Sequence, residues 1–328
     1  MKILVIRNGG IGDTLLLVPL LQAIKQEFTP LELAAMGRED VLAILARERI
    51  IDKFIPFEQD GIWKLYGEIE ALPQQLSNLL SSFDMIFSLI VDKDGCFEGN
   101  LKKSGCGKVL TAPPLPPENW TGHASGYYAE AFSLAPFPSL DQVRPFEIRE
   151  EDRAVAGHFS RAHCVDFTRD NAVAIHPGSG SKNKNWPMEN FREAAGLLAE
   201  RGNKVLWIAS PAEEERGVPM RQEMKNIIRV QLPLGRLGSL LKFCSAYIGN
   251  DSGISHLAGL AGIPSVVIFG PTSPDSWAPL GPKARPLWKR LECQPCAPET
   301  RQRCEGRECL SLISVDEAVS GLIGFDER

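Results

Sequence analysis

At 328 residues the chain exceeds the size at which one hydrophobic core usually stops growing, so two domains are expected. Hydrophobic residues make up 44% and charged residues 23% of it, a balance that excludes wholesale disorder. The formal net charge of -5 supplies no general attraction for a polyanion, so nucleic acid is not an expected partner.

The chain opens on a β-branched run at residues 3–6 that ends at Asn8-Gly9-Gly10. With no long apolar region and no small-residue cleavage site, it reads as a first strand rather than a signal peptide. No stretch reaches the apolar length that crosses a bilayer, and the expected location is the cytoplasm. Residues 14–27 place Leu15, Val18, Leu21 and Ile24 at helical spacing. Short buried-type strands are expected at 31–36, 54–56 and 84–89, with helical segments between them. Such alternation predicts a parallel sheet covered on both faces. Between residues 111 and 145 stand Pro113, Pro114, Pro116, Pro117, Pro136, Pro138 and Pro145, which exclude long helices and central strands. The interdomain connection is expected near the end of that stretch.

Residues 171–176 begin a second series. Helices are expected at 191–200, 213–225, 237–243 and 253–261, and strands at 204–209, 227–230, 247–248 and 265–269. A last helix, 315–323, is expected to pack back on the first domain. The reading is therefore α/β, with doubly wound domains at 1–150 and 151–314 and a terminal piece at 315–328. Ligands in such sheets bind beyond the strand C-termini, and the informative loops lie there.

Gly9, Gly10, Gly12 and Asp13 follow the first strand. Glycine permits a tight turn and close approach to a ligand, but the G-x-G-x-x-G fingerprint is incomplete, and Asp13 would also serve as a helix N-cap. The run His176-Pro177-Gly178-Ser179-Gly180-Ser181-Lys182-Asn183-Lys184-Asn185-Trp186-Pro187 offers glycine amides, hydroxyls and two lysines, which suit a diphosphate. Gly249-Asn250-Asp251-Ser252-Gly253-Ile254-Ser255-His256 joins a short strand to a helix whose N-terminus can face phosphate. The plainer reading is capping by Asp251 or Ser252, with His256 simply packed. Glu213, in Ser210-Pro211-Ala212-Glu213-Glu214-Glu215, either complements a helix dipole or holds ribose hydroxyls.

Taken in series, MKILVIRNGGIGDTLLLVPLL, HPGSGSKNKNWPMENF and GNDSGISHLAGLAGIPSVVIFGPTSPDSW resemble the ADP-heptose:lipopolysaccharide heptosyltransferases, glycosyltransferase family nine, over nearly the whole chain. The resemblance implies the GT-B architecture, with two Rossmann-like domains facing across a cleft. It also implies an inverting mechanism, no catalytic metal or cofactor, and a nucleotide-diphosphate sugar, ADP-heptose, as donor. The implied acceptor is lipid-linked or an oligosaccharide of the lipopolysaccharide inner core, met at the cytoplasmic face of the inner membrane. By the same resemblance Asp13 is the catalytic base and Lys184 contacts the donor phosphates. Ser179, Gly180 and Ser181 form the phosphate loop, and Glu213 holds the ribose. Asp251 contacts the donor sugar, and Ser252, Gly253 and His256 complete its motif. Lys102, Lys103, Lys108 and Trp120 mark the region expected to choose the acceptor.

Cys293, Cys296, Cys304 and Cys309 have a spacing that can fit a structural zinc site, free thiols or a disulfide being the alternatives. Two rival functions stay open: a sugar-nucleotide epimerase of the same fold, and a non-catalytic sugar-nucleotide-binding protein.

Overall fold

The computed structural model of the chain describes residues 1–29, 31–59, 61–134, 143–209 and 226–323. They divide into two compact units, Met1–Pro138 and Ser139–Arg328.

The first unit runs β1 (Lys2–Arg7), α1 (Ile11–Leu15), α2 (Val18–Glu27), β2 (Glu32–Gly37), α3 (Glu39–Arg47), β3 (Lys53–Pro56), a 3-10 turn at Ile62–Tyr66, α4 (Gln74–Ser81), β4 (Met85–Ser88), α5 (Cys96–Lys102), β5 (Lys108–Thr111) and α6 (Ala124–Ala131). Its sheet is parallel throughout, in the order β3-β2-β1-β4-β5. Ile3, Leu4, Val5 and Ile6 are all fully buried, as expected of a parallel strand covered on both faces. The helix expected over 14–27 is two helices. Pro19 stands in the first turn of α2, where its missing amide does no harm; a continuous helix would need that amide.

The second unit holds α7 (Glu150–His163), β6 (Ala172–His176), a 3-10 turn at Lys182–Lys184, α8 (Met188–Glu200), β7 (Lys204–Ile208), β8 (Ile227–Val230), α9 (Leu234–Leu241), β9 (Ala246–Asn250), α10 (Gly253–Leu260), β10 (Ser265–Ile268), α11 (Pro274–Trp277), β11 (Ala284–Leu287), α12 (Pro298–Arg303), α13 (Glu308–Ser311) and α14 (Val315–Ile323). Its strands are also parallel, in the order β11-β10-β9-β6-β7-β8. Each sheet is thus doubly wound and Rossmann-like, and its order reverses beside its first strand: between β1 and β4 in one, between β6 and β9 in the other.

Two expectations need correction. Residues 143–150 belong with the second unit: the Phe146 amide donates to the Leu260 carbonyl (2.7 Å), and Lys242 Nζ donates to the Glu147 carbonyl (2.7 Å). The last helix packs into the second unit as well. Val315, Ala318 and Val319 are buried in one cluster with Phe191, Ala194 and Ala195 of α8 and with Val266 and Ile268 of β10. The apolar face that called for a partner finds it on the sheet that precedes it in the chain.

At the outer side of β10, the Ser265 amide donates to the carbonyl of Lys283, just before β11, and the Phe269 amide, just past β10, to that of Leu287. Alternation then turns the backbone groups of Ala284 and Pro286 away from the sheet.

Candidate functional site

In the first unit, β1 delivers Arg7 and the Gly9-Gly10 turn to the crevice where the sheet order reverses. Gly10 is the N-cap of α1 and Asp13 its third residue, so Asp13 reaches back to the N-cap amide and is not itself the N-cap. Asp13 Oδ2 accepts from the Gly10 amide at 2.8 Å. Its Oδ1 lies 3.6 Å from Nη2 of Arg7, and the Asp13 side chain is 35% exposed while that of Arg7 is 4% exposed. Arg7 also donates from Nη1 to the Leu89 carbonyl (3.3 Å) and stands 5.8 Å from the centre of the Tyr128 ring. Burial pushes the Tyr128 phenol up to about 12. The glycines are needed for this close fit. A Cβ on Gly10 would stand 3.1 Å from Asp13 Oδ2, and one on Gly9 3.0 Å from Asp13 Cβ. Gly12 lies inside α1, its carbonyl accepting from the Leu16 amide.

In the second unit, the loops after β6 and β9 meet at the other reversal point. Asn250 stitches them together: its Oδ1 accepts from the Trp186 amide (2.8 Å), and its Nδ2 donates to the Pro177 carbonyl (2.6 Å). Asp251 follows, and its Oδ2 accepts from both Lys184 Nζ (2.6 Å) and Thr272 Oγ1 (2.6 Å). Asp251 is 6% exposed and Lys184 24%, so the pair is shielded enough for its attraction to exceed that of a surface pair. Ser252 is the N-cap of α10, and its hydroxyl makes no side-chain capping bond; it lies 3.4 Å from His176 Nδ1. Burial holds the His176 imidazole down to about 4. Gly253 begins α10, and Ser255 and His256 are buried in it. Ser179 Oγ donates to the Ser181 carbonyl (2.6 Å), Ser181 accepts from the Asn183 amide, and Gly180 has open space around it.

The structure therefore gathers Ser179, Gly180, Ser181, Lys184, Asp251 and Ser252 on two adjoining loops, with Gly253 and His256 in the first turn of α10 and Lys184 and Asp251 paired to each other. Glu213 lies outside the described residues. Arg7, Asn250 and Thr272 had no assigned role in the sequence reading, although all three lie inside the motifs quoted there. Their position next to charged site residues was the available signal. Of the residues expected to choose an acceptor, Lys102 pairs with Glu98 (2.5 Å) and Lys103 donates to the Ile69 carbonyl. Trp120 donates to the His123 carbonyl and packs edge-on to Tyr127.

All eight thiols are free, Cys293 and Cys304 exposed, Cys296 and Cys309 buried. Cys293 and Cys296 are close enough to hydrogen bond. Burial, with the charges of Cys296, Cys293 and Cys304, pushes the Cys309 thiol up to about 11. Among the described residues no group of three His, Cys, Asp or Glu side chains is placed to hold a metal ion, and no helix is long and apolar enough to cross a membrane.

Comparison with known proteins gives concordant matches. The profile of Glycosyltransferase family 9 (heptosyltransferase) matches residues 129–305. Lipopolysaccharide heptosyltransferase 1 of Pseudomonas aeruginosa is 23% identical, over 92% of this chain and 87% of that protein. A family 9 glycosyl transferase from Veillonella parvula superposes with a TM-score of 0.80 at 20% identity, covering 98% of this chain and 97% of that one. ADP-heptose lps heptosyltransferase II of E. coli does so with a TM-score of 0.73 at 19% identity, over the full length of both.

Proposed function

The chain belongs to glycosyltransferase family 9, and from that premise we propose that it moves heptose from ADP-heptose to a lipopolysaccharide inner-core acceptor, with inversion and without a metal. The observation that carries the reading is the carboxylate of Asp251 at the head of α10. It is held by Lys184 and Thr272 at the point where the second sheet reverses, the place where doubly wound folds bind nucleotides. The donor is taken from the name of the E. coli heptosyltransferase and lipopolysaccharide from that of the P. aeruginosa relative; the inner core rests on the sequence resemblance.

In the proposed reaction an acceptor hydroxyl oxygen attacks the anomeric carbon from the side opposite the diphosphate. The bond from that carbon to the phosphate oxygen breaks, and ADP leaves with its electron pair. The hydroxyl proton goes to Asp13, whose side chain remains partly exposed beside Arg7. Lys184 and the amides at the start of α10 stabilise charge on the departing diphosphate. In free enzyme the Lys184 ammonium is neutralised by Asp251; an arriving diphosphate shares it, and the freed carboxylate accepts sugar hydroxyls. Glu213 holds the ribose. The reaction calls for no metal, so turnover should persist in a chelator. An acceptor at the cytoplasmic face of the inner membrane would bring the protein to that surface.

Asp13→Asn keeps an oxygen for the Gly10 amide but removes the base. The expected result is an unchanged dissociation constant for ADP and a kcat lowered roughly 10²- to 10⁴-fold, the usual worth of a positioned base. Unaltered turnover removes Asp13 from the reaction. A wild-type protein that binds ADP-heptose yet never transfers its sugar to any acceptor would instead favour the non-catalytic binding protein.

A further inference from the structure

The Asp251 carboxylate is held from two different loops, and one stretch of chain is tied to both. Lys184 comes from the 3-10 turn Lys182–Lys184. That turn receives Arg307 Nη1 on the Lys182 carbonyl (2.9 Å) and sends Asn183 Nδ2 to the Arg301 carbonyl (3.1 Å). Thr272 comes from the loop after β10. There the Gly270 carbonyl accepts from Gln294 Nε2, and the Pro271 carbonyl accepts from the Cys296 amide (2.8 Å). The stretch is braced internally by Arg301 Nη2 on the Cys296 carbonyl (3.2 Å). The Leu291 amide fixes Gln294 through its Oε1 (2.7 Å).

A pocket of about 380 Å³ separates part of this stretch from the loop, lined by Lys182, Trp186, Glu305, Arg307 and Leu310 among others. Trp186 and Leu310 pack in one buried cluster beside it, and the Arg307 and Asn183 hydrogen bonds add the polar connection. Arg307 has φ 43°, in the left-handed region that costs a residue with a Cβ. From that backbone position the Arg307 guanidinium reaches the donor loop.

We infer that residues 291–307 form a strap that positions Lys184 and Thr272 on Asp251, with Arg307 and Gln294 as positioning residues for donor binding. The inference rests on the donor site proposed above. The strap touches neither sugar nor phosphate; it fixes the two loops that do. Loosening either end frees one partner of Asp251 and makes the donor pay the ordering of that loop.

The test is ADP titration calorimetry on the whole chain, alongside thermal melts and donor and acceptor KM values. Arg307→Gly suits the left-handed backbone and deletes the guanidinium, so Tm should hold or rise. The Kd for ADP and the donor KM should rise together about three- to tenfold, the scale of one lost hydrogen bond, with acceptor KM unmoved. Gln294→Glu keeps the Leu291 tie, turns the donor on Gly270 into an acceptor, and should weaken ADP similarly. In a Lys184→Ala background the Arg307→Gly effect should shrink to within about twofold, because its route to the donor is gone. Wild-type ADP affinity in both single variants overturns the strap, and so does a full Arg307→Gly effect without Lys184. If wild-type protein fails to bind ADP at all, the donor assignment itself falls, and the strap falls with it.

Discussion

His176 closes β6 with its ring buried, and burial holds its imidazole down to about 4 against an ordinary value near 6.5. Above pH 6.5 the ring is neutral both folded and unfolded, so it makes no pH-dependent contribution. As pH falls below that point the unfolded chain takes up the proton first, and the folded state loses ground until about pH 4. Between pH 7.5 and 5 the loss amounts to roughly 2 kcal/mol. His176→Asn should flatten that part of the stability curve, read from urea melts at the two pH values. An equal acid slope in both proteins would show that His176 is not the group responsible. At this scale the sequence is most readable where charge and loop position coincide. Lys184 and Asp251 were both identified from their motifs, but their mutual bond was not, because it joins residues 67 apart in the chain. Arg7 was hidden for a related reason: a charged residue ending a strand looks like a solvated end until its guanidinium is seen buried against Asp13 and Leu89.

Strands here are short and uniformly apolar, and that made most of them legible. The runs at β1, β6, β9 and β10 have no polar face because helices cover both sides of a parallel sheet. Elements that lack such a run escaped. β5 is only four residues, with Lys108 at its start, and β11 contains Pro286, a residue that argues against a central strand. α7 buries only Asp152, Ala156 and Phe159, so it carries no apolar stripe to recognise. The pairing of β1 with β2 supplies a sharper test. Gly37 sits in register with Arg7, and a Cβ on it would stand 2.1 Å from the Arg7 carbonyl oxygen. Both atoms belong to packed strands, so neither can yield without moving the backbone that carries Arg7. Gly37→Ala should cost about 1–3 kcal/mol, as overpacking does, and lower transfer more than ADP binding. A variant of wild-type stability would mean that the two strands slide apart at no cost.

For the molecule as a whole, the sequence conveyed two Rossmann-like units but misplaced what joins the second one together. The reason lies in a buried charge cluster that no local pattern reveals. Asp152 accepts from Lys242 Nζ (2.8 Å), Ser239 Oγ (2.6 Å) and the Arg149 amide (2.9 Å), tying α7 and the segment before it to α9. Burial pushes the Asp152 carboxyl up, but the Lys242 and Ser239 bonds and the Arg149 amide together bring it below the usual carboxylate range. Its contribution is therefore present above that range and is lost as pH falls through its lowered value. Asp152→Ala, which leaves the Lys242 ammonium without its carboxylate, should cost about 3–5 kcal/mol in chemical denaturation, and adding Lys242→Met should recover much of it. Equal stability of the single and double variants would refute the ion pair's importance. The outermost strand of the same unit carries one more implication. Of the two backbone positions that β11 turns outward, Ala284 directs its amide back to the Gly281 carbonyl (3.4 Å), and Pro286 has no amide hydrogen. An incoming strand would find no row of donors there to copy, so this rim resists templated stacking of one molecule on the next, even when the protein is crowded.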